Sequence, residues 1–290
     1  MNYRHQYHAG NFADVAKHVL LIQLIRGLQR KEKGFLYLDT HAGRGLYDLS
    51  AAARGESFDR KPEWPDGVGR LWGVTDLPAA VSDYVTLVRT FNRGRGAAAE
   101  ADAPAHYPGS PLIALALARP QDRLGLCELH PDELAGLRRA LPRTLRSSVQ
   151  ELDGYKSIRA FLPPPERRAL VLIDPPFEAQ DEYERILDAL AEGLRRAPGA
   201  TFAVWHPLTE RARNDAFLDG LRALPLPATW AVEFSVADDD SPLHMRGCGL
   251  LVVNPPWQLD REVEPWLHPL ARRLAQHPGS EACLQWLVHE

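Results

Sequence analysis

The sequence predicts an α/β protein. Its core is a mostly parallel sheet of seven strands, doubly wound by helices, with an antiparallel hairpin at one edge and a small helical subdomain inserted early. Three observations predict this. From residue 110 onward, short apolar runs alternate with segments of helical periodicity, the pattern of a parallel sheet. The runs at 229–236 and 249–253 follow one another with no helix between them, as an antiparallel hairpin requires. Residues 50–107 break the alternation and are rich in Gly, Pro, Ala and charge, so they read as the insertion.

Taken in order, residues 12–31 form a helix, with Phe12, Val15, Ala16, Val19, Leu20 and Leu24 as its apolar stripe. Gly34 ends it, and 35–38 is a short strand closing on Asp39-Thr40-His41-Ala42-Gly43-Arg44-Gly45. The insertion carries a helical patch near 78–91 and an alanine-rich loop tip at 97–104. Ser110-Pro111 reads as an N-cap followed by a first helical residue. Then come a strand at 124–129, a helix at 131–141, a strand at 148–152 and a helix at 155–162. The strand at 169–173 is an apolar, β-branched run that stops at Asp174-Pro175-Pro176-Phe177. A helix at 181–196, a strand at 201–205 and a helix at 209–224 follow. After the hairpin, a helix near 262–276 and a further strand at 282–288 complete the chain. The outer parts, 1–49 and 108–290, form one domain, and its first 33 residues are a basic segment.

Composition narrows the class. The chain has 290 residues, 45% hydrophobic and 25% charged, enough for one large domain with an insertion. No apolar run has membrane-spanning length, and the N-terminus lacks a signal peptide's apolar stretch, so the cytoplasm is the expected compartment. Cys127, Cys248 and Cys283 are too few and too scattered for a disulfide framework. Net charge is −4, yet residues 1–33 hold six basic side chains against two acidic ones. Arg138, Arg139, Arg143 and Arg146 form a second basic cluster, and Arg93 and Arg95 a third. Such clusters attract phosphates or are simply solvated helix faces. His5-x-x-His8 and Cys127-x-x-His130 have ligand-like spacing, but the cysteine pairs of a zinc module are absent and no metal is expected.

In open sheets of this kind, ligands bind beyond the carboxyl ends of the parallel strands. One acid follows each of four predicted strands: Asp39, Glu128, Asp153 and Asp174. Gly43 and Gly45 let the backbone approach a ligand closely. The dinucleotide pattern G-x-G-x-x-G is missing, which argues against a nicotinamide enzyme. Glu128 suits the two hydroxyls of a ribose. Asp153-Gly154 suits an adenine amino group. A parallel sheet finished by a hairpin resembles the Rossmann-like, class I S-adenosylmethionine-dependent methyltransferase fold. On that fold the four acids and the glycine loop imply S-adenosylmethionine as cofactor, leaving as S-adenosylhomocysteine. Asp174 and the Pro175 carbonyl would accept the two hydrogens of an exocyclic amino group, and Phe177 would stack on the base. Asn254-Pro255-Pro256-Trp257 copies this pattern. It follows the last strand of the hairpin, so if that strand runs antiparallel it lies at the opposite rim and is structural.

One further set of motifs is more specific. Tyr3-Arg4-His5-x-x-His8-Ala9-Gly10-Asn11-x-Ala13-Asp14-Val15-x-Lys17-His18 resembles the RlmJ family of 23S ribosomal RNA adenine-N6 methyltransferases. So do Leu38-Asp39-Thr40-His41-Ala42-Gly43, Tyr107-Pro108-Gly109-Ser110-Pro111, Glu128-Leu129-His130-Pro131, Asp153-Gly154, Asp174-Pro175-Pro176 and the closing Val253-Asn254-Pro255-Pro256-Trp257. The resemblance runs nearly end to end. It implies a monomer that methylates 23S rRNA, with His18, His41, Ser110, Glu128, Asp153, Gly154 and Asp174 at the cofactor and Asp174 as catalytic acceptor. It implies that Tyr3 touches the RNA and that His5 and Lys17 support the site. Phe177 departs from the tyrosine common in the family. It loses a hydroxyl and keeps the stacking face. Residues 94–104 are longer and more alanine-rich than the family's pattern. The residues alone leave open a DNA adenine-N6 or cytosine-N4 methyltransferase, and a non-catalytic rRNA-binding assembly factor on the same fold.

Overall fold

The computed structural model describes residues 5–50, 61–98, 101–142, 146–209, 211–238, 240, 241, 243 and 245–289. In chain order the elements are α1 (Phe12–Gln29), β1 (Leu36–Asp39), β2 (Leu46–Asp48), α2 (Ala79–Arg93), β3 (His106–Pro108), α3 (Ser110–Leu117), β4 (Arg123–Cys127), α4 (Pro131–Ala140), β5 (Ser147–Gln150), α5 (Gly154–Phe161), β6 (Ala169–Ile173), α6 (Glu182–Arg196), β7 (Thr201–Leu208), α7 (Arg211–Arg222), β8 (Thr229–Ser235), β9 (Gly247–Val253), α8 (Leu259–Arg273) and β10 (Glu281–Val288). Two short 3-10 turns, Trp64–Asp66 and Val68–Leu71, precede α2.

The main sheet has strand order β10-β8-β9-β7-β6-β1-β4-β5. β5, β4, β1, β6 and β7 run parallel, and β9 lies antiparallel between β7 and β8. This is the expected Rossmann-like class I architecture, with eight strands rather than seven. The eighth is β10, the strand read at 282–288, which joins the same sheet antiparallel to β8 and moves the hairpin in from the edge. A second difference is the ribbon of β2 and β3, which pairs Leu46 with Pro108 and Asp48 with His106. Three-residue strands carry too few alternating positions to be read from sequence.

Strand periodicity splits the interior into two cores. On β6, Leu170 and Leu172 face one side while Val171 and Ile173 face the other, and all four are buried. The first side is filled by α1, α2, α3 and α8, and the second by α5, α6 and α7. α1 is buried nearly all round, since Leu21, Ile22 and Ile25 are as covered as the predicted stripe. A helix apolar on every side belongs inside a large domain. Each such side chain contributes about 1.5–3 kcal/mol through burial. The carboxyl end of α1 is closed by arginines from neighbouring elements. Arg119 donates to the carbonyls of Gln29 and Lys31, and Arg168 to that of Leu28.

The basic clusters are partly spent on such contacts. Arg26 pairs with Asp83 and Arg30 with Glu262. Lys17 is buried. These three are therefore not a free positive face for phosphates, in contrast to the expectation for the first 33 residues. Arg4 and Arg143 lie outside the described residues.

Asn254-Pro255-Pro256-Trp257 falls at the opposite rim because β9 runs antiparallel. Asn254, in the left-handed region at φ 50°, donates from Nδ2 to the carbonyls of Pro198 (2.7 Å) and Ala200 (3.0 Å), at the amino end of β7. Its own carbonyl accepts from Thr201 Oγ1 at 2.7 Å. Pro256 rests on Gly27 of α1, where an added Cβ would lie 2.8 Å from the proline ring. Replacing Asn254 with alanine removes two bonds to carbonyls and an amide that tolerates positive φ. Urea denaturation should show a loss of about 1–3 kcal/mol. Stability within about 0.3 kcal/mol of wild type would contradict the structural role given to this loop.

Candidate active site

β6 delivers Asp174 to the carboxyl rim, because all five residues of the strand are buried and the two residues after Asp174 are prolines that stiffen the loop. The Asp174 side chain keeps 16% exposure. Its Oδ2 accepts from Lys17 Nζ at 2.6 Å. Lys17 also pairs with Asp14 Oδ1 at 2.8 Å, one turn back on α1. Burial by itself lowers the Lys17 pKa, but Asp14 and Asp174 outweigh it and hold that pKa above the ordinary lysine range. Among the described residues, Asp174 Oδ1 takes no hydrogen bond. One oxygen is thus anchored and the other is available.

Asp14 is anchored in turn. Asn11 caps α1 by accepting from the Asp14 amide at 2.9 Å, and Asp14 Oδ2 reaches back to the Gly10 amide at 2.9 Å. Gly10 takes φ +78°, a conformation glycine adopts without strain. The start of α1 and the loop after β6 are therefore joined through one ammonium.

Phe177 lies in the left-handed region, with φ 51°. Its ring packs on Tyr183 (5.2 Å between centroids) and edge-on to Trp205 (5.7 Å). Pro175 is buried. The aromatic at 177 is thus braced from behind by two others.

The loop after β1 approaches from the neighbouring strand. Asp39 is fully buried, and its Oδ2 accepts from Tyr37 Oη (2.8 Å) and Ser110 Oγ (2.7 Å). Asp39 Oδ1 has no hydrogen-bond partner among the described residues. Burial raises the Asp39 pKa to about 6, against the opposing hydrogen bonds of Ser110 and Tyr37. Ser110 is not the N-cap read from sequence. Gly109 takes that place, and the serine hydroxyl goes to Asp39 instead. Gly43, at φ +59°, donates its amide to Glu128 Oε2 at 2.8 Å, while His130 N donates to Oε1 at 2.7 Å. Glu128 is fixed by backbone on both oxygens, and its pKa is raised by burial.

Asp153 is the N-cap of α5. Its Oδ1 accepts from the amides of Tyr155 and Lys156, and its Oδ2 from Arg185 at 3.1 Å. Arg185 also lies over the Tyr155 ring at 4.4 Å, and Tyr155 packs edge-on against His41. Burial pushes the His41 pKa down to about 4, so the ring is neutral near pH 7. A Cβ on Gly154 would sit 2.3 Å from the Thr40 carbonyl and 2.6 Å from the His41 ring, so this position brings α5 against the β1 loop. His18 lies behind these groups, with Nδ1 2.8 Å from Tyr107 Oη.

The carboxyl ends of β5, β4, β1 and β6 thus carry Asp153, Glu128, Asp39 and Asp174 along one rim, and α1 brings Lys17 to the last of them. Lys17 faces the carboxylates rather than solvent. Tyr3 lies outside the described residues, as does the side chain of His5. Sequence reasoning passed over Tyr37, Asp14 and Arg185. Tyr37 was the one within reach, since it stands two residues before Asp39 and therefore on the same face of β1.

The family model described as "Ribosomal RNA large subunit methyltransferase D, RlmJ" matches residues 32–288. The chain belongs to this family. It is 38% identical over 293 residues to the Ribosomal RNA large subunit methyltransferase J of Escherichia coli (strain K12), covering all of both chains. It is 38% identical over 290 residues to the protein of the same name from Haemophilus influenzae, again over the full length of both. Protein LPL1258 from Legionella pneumophila, at 33% identity, superposes with a TM-score of 0.83 over 98% of this chain and 99% of that one. The chain is accordingly an enzyme of an S-adenosylmethionine-dependent methyltransferase family.

The rim fits that cofactor. An amine-bearing ligand would satisfy the orphaned buried Oδ1 of Asp39, and Glu128, held at the end of β4 by two backbone amides, could still accept from hydroxyls. Among the described residues, no three His, Cys, Asp or Glu side chains cluster as metal ligands do. No helix among them is long and apolar enough to cross a membrane.

The raised pKa of Asp39 has a sign that can be checked in ligand-free protein. Between about pH 4 and pH 6 the folded state holds a proton that the unfolded chain has lost. Asp39 therefore supports stability at low pH, and that support is lost as pH rises through about 6. Asp39→Asn should gain about 3 kcal/mol relative to wild type across this window, read as the difference between their urea denaturation free energies. Parallel curves would refute the raised value.

Proposed function

We propose that this enzyme transfers the methyl group of S-adenosylmethionine to the exocyclic N6 of an adenine in 23S ribosomal RNA. The observation that supports this most is the state of Asp174. It stands next in line after three acid-bearing strand ends, with one oxygen held by Lys17 and the other open to the rim.

The N6 lone pair of adenine is delocalised into the ring and is a poor nucleophile. Asp174 Oδ1 and the Pro175 carbonyl accept the two amino hydrogens. This draws the lone pair out of conjugation and aims it along the rim. Phe177 stacks on the base, a contact worth on the order of 1–3 kcal/mol, and Tyr183 and Trp205 keep it in place. When bound, the cofactor supplies an electrophilic methyl group on a sulfonium. Held by Glu128, Asp153 and Gly154, it would give that methyl to N6 and keep the electron pair of the broken carbon–sulfur bond on sulfur. The surplus N6 proton leaves through Asp174. Lys17 holds the carboxylate in orientation through Oδ2, which leaves Oδ1 to take the proton.

On this reading Glu128 binds the ribose hydroxyls, Asp153 and Gly154 border the adenine of the cofactor, Gly43 lets it approach, and His18, His41 and Ser110 complete the pocket. Asp153 does so with Oδ1 already occupied as a cap, so its part is to shape the pocket as much as to bond. Tyr3 and His5 contact the RNA. A base in a folded strand reaches Phe177 only when turned out of its stack.

The test is transfer of labelled methyl from S-adenosylmethionine to an unmodified 23S rRNA transcript, with duplex DNA as competitor. Asp174→Asn keeps the shape but turns an acceptor into a donor. It should lower single-turnover transfer by about 10²–10⁴-fold while S-adenosylmethionine still binds. Transfer retained in the variant, or a preference for duplex DNA, would overturn the proposal.

A further inference from the structure

Behind the rim, three buried polar groups form a chain that joins the insertion to α1. Tyr84 on α2 has its hydroxyl 3.0 Å from that of Tyr107 on β3. Tyr107 Oη lies 2.8 Å from His18 Nδ1, and the two rings stack at 5.6 Å. Tyr84 and Tyr107 are 0% exposed and His18 is 1% exposed, so solvent serves none of them.

The directions of these bonds follow from counting hydrogens. A buried hydroxyl hydrogen without an acceptor costs about 1–3 kcal/mol. Among the described residues, Tyr107 Oη is the one hydrogen-bond partner of the Tyr84 hydroxyl, so Tyr84 must donate to it. The Tyr107 hydrogen cannot then point back at Tyr84. The remaining acceptor is His18 Nδ1. Burial raises the pKa of both phenols, with Tyr84 and Asp14 adding to the effect at Tyr107, so both hydrogens are retained.

We propose that this chain fixes His18 as the tautomer with its hydrogen on Nε2, and that Tyr107 is a positioning residue for the cofactor pocket. Tyr84 donates to the Tyr107 hydroxyl and leaves the Tyr107 hydrogen to Nδ1. The imidazole is thereby a hydrogen-bond donor at Nε2, matched to an anionic group such as the carboxylate of an amino-acid ligand. This rests on the reading of His18 as a cofactor contact given above.

The experiment is ¹⁵N NMR of histidine-labelled, ligand-free protein, with S-adenosylmethionine affinity measured by calorimetry on the same samples. In wild type, His18 should show a protonated Nε2 and an Nδ1 that accepts a hydrogen bond. Tyr107→Phe should remove the accepting character of Nδ1 and weaken S-adenosylmethionine binding about three- to tenfold. Tyr84→Phe should keep the tautomer, because the Tyr107 hydrogen still has Nδ1 as its acceptor. His18→Gln, whose amide nitrogen overlays Nε2, should bind more tightly than His18→Asn. This pair decides the matter if Tyr107→Phe does not fold. A hydrogen on Nδ1 in wild type, a Tyr107→Phe spectrum like that of wild type, or Asn binding as well as Gln would overturn the proposal. Wild type with the expected tautomer but no affinity for S-adenosylmethionine would support the tautomer and overturn the cofactor reading beneath it.

Discussion

A buried ammonium cannot stand alone, and Lys17 does not. It lies between Asp14 at 2.8 Å and Asp174 at 2.6 Å, and that requirement for compensation organises the centre of the molecule. Asp14 is in turn committed to the first turn of α1, through the cap at Asn11 and the Gly10 amide. Asp174 is committed to the end of β6. One cation therefore sets where the first helix docks and how the carboxylate at the rim is turned. The nearly all-round burial of α1 is the apolar counterpart of the same arrangement, since a helix that must bring Lys17 to the rim has to pass through the core.

The chain carries the same loop pattern twice and uses it in opposite ways. Asp174-Pro175-Pro176-Phe177 and Asn254-Pro255-Pro256-Trp257 each follow a fully buried strand. β6 is parallel to its neighbours and β9 antiparallel, so the two loops sit at opposite rims. At the first, a carboxylate meets an ammonium and keeps an open oxygen. At the second, an amide closes two carbonyls at the start of β7 and Pro256 braces α1, with Trp257 66% exposed. Strand direction separates two nearly identical motifs into a candidate site and a strut.

Much of this was legible in the sequence because it depends on local pattern. The period of the apolar runs marked the sheet and its helices. The acids after four of the parallel strands marked the rim, and the missing helix between β8 and β9 marked the reversal that separates the two loops. What stayed hidden depends on partners distant in the chain. Ser110 looked like a cap because nothing local shows that Asp39 lies beside it. Lys17, Arg26 and Arg30 looked like a positive face because Asp174, Asp83 and Glu262 are far away in sequence. The β2–β3 ribbon was too short for periodicity to register.

The central claim is that Lys17 orients Asp174 for methyl transfer. The double variant Lys17→Met, Asp14→Asn tests it most directly, since it removes the ammonium while leaving the buried net charge unchanged. Single-turnover methyl transfer to 23S rRNA should fall by a hundredfold or more, about 2.7 kcal/mol or more in the barrier. S-adenosylmethionine affinity should stay within about threefold of wild type. Transfer within about threefold of wild type would contradict the account.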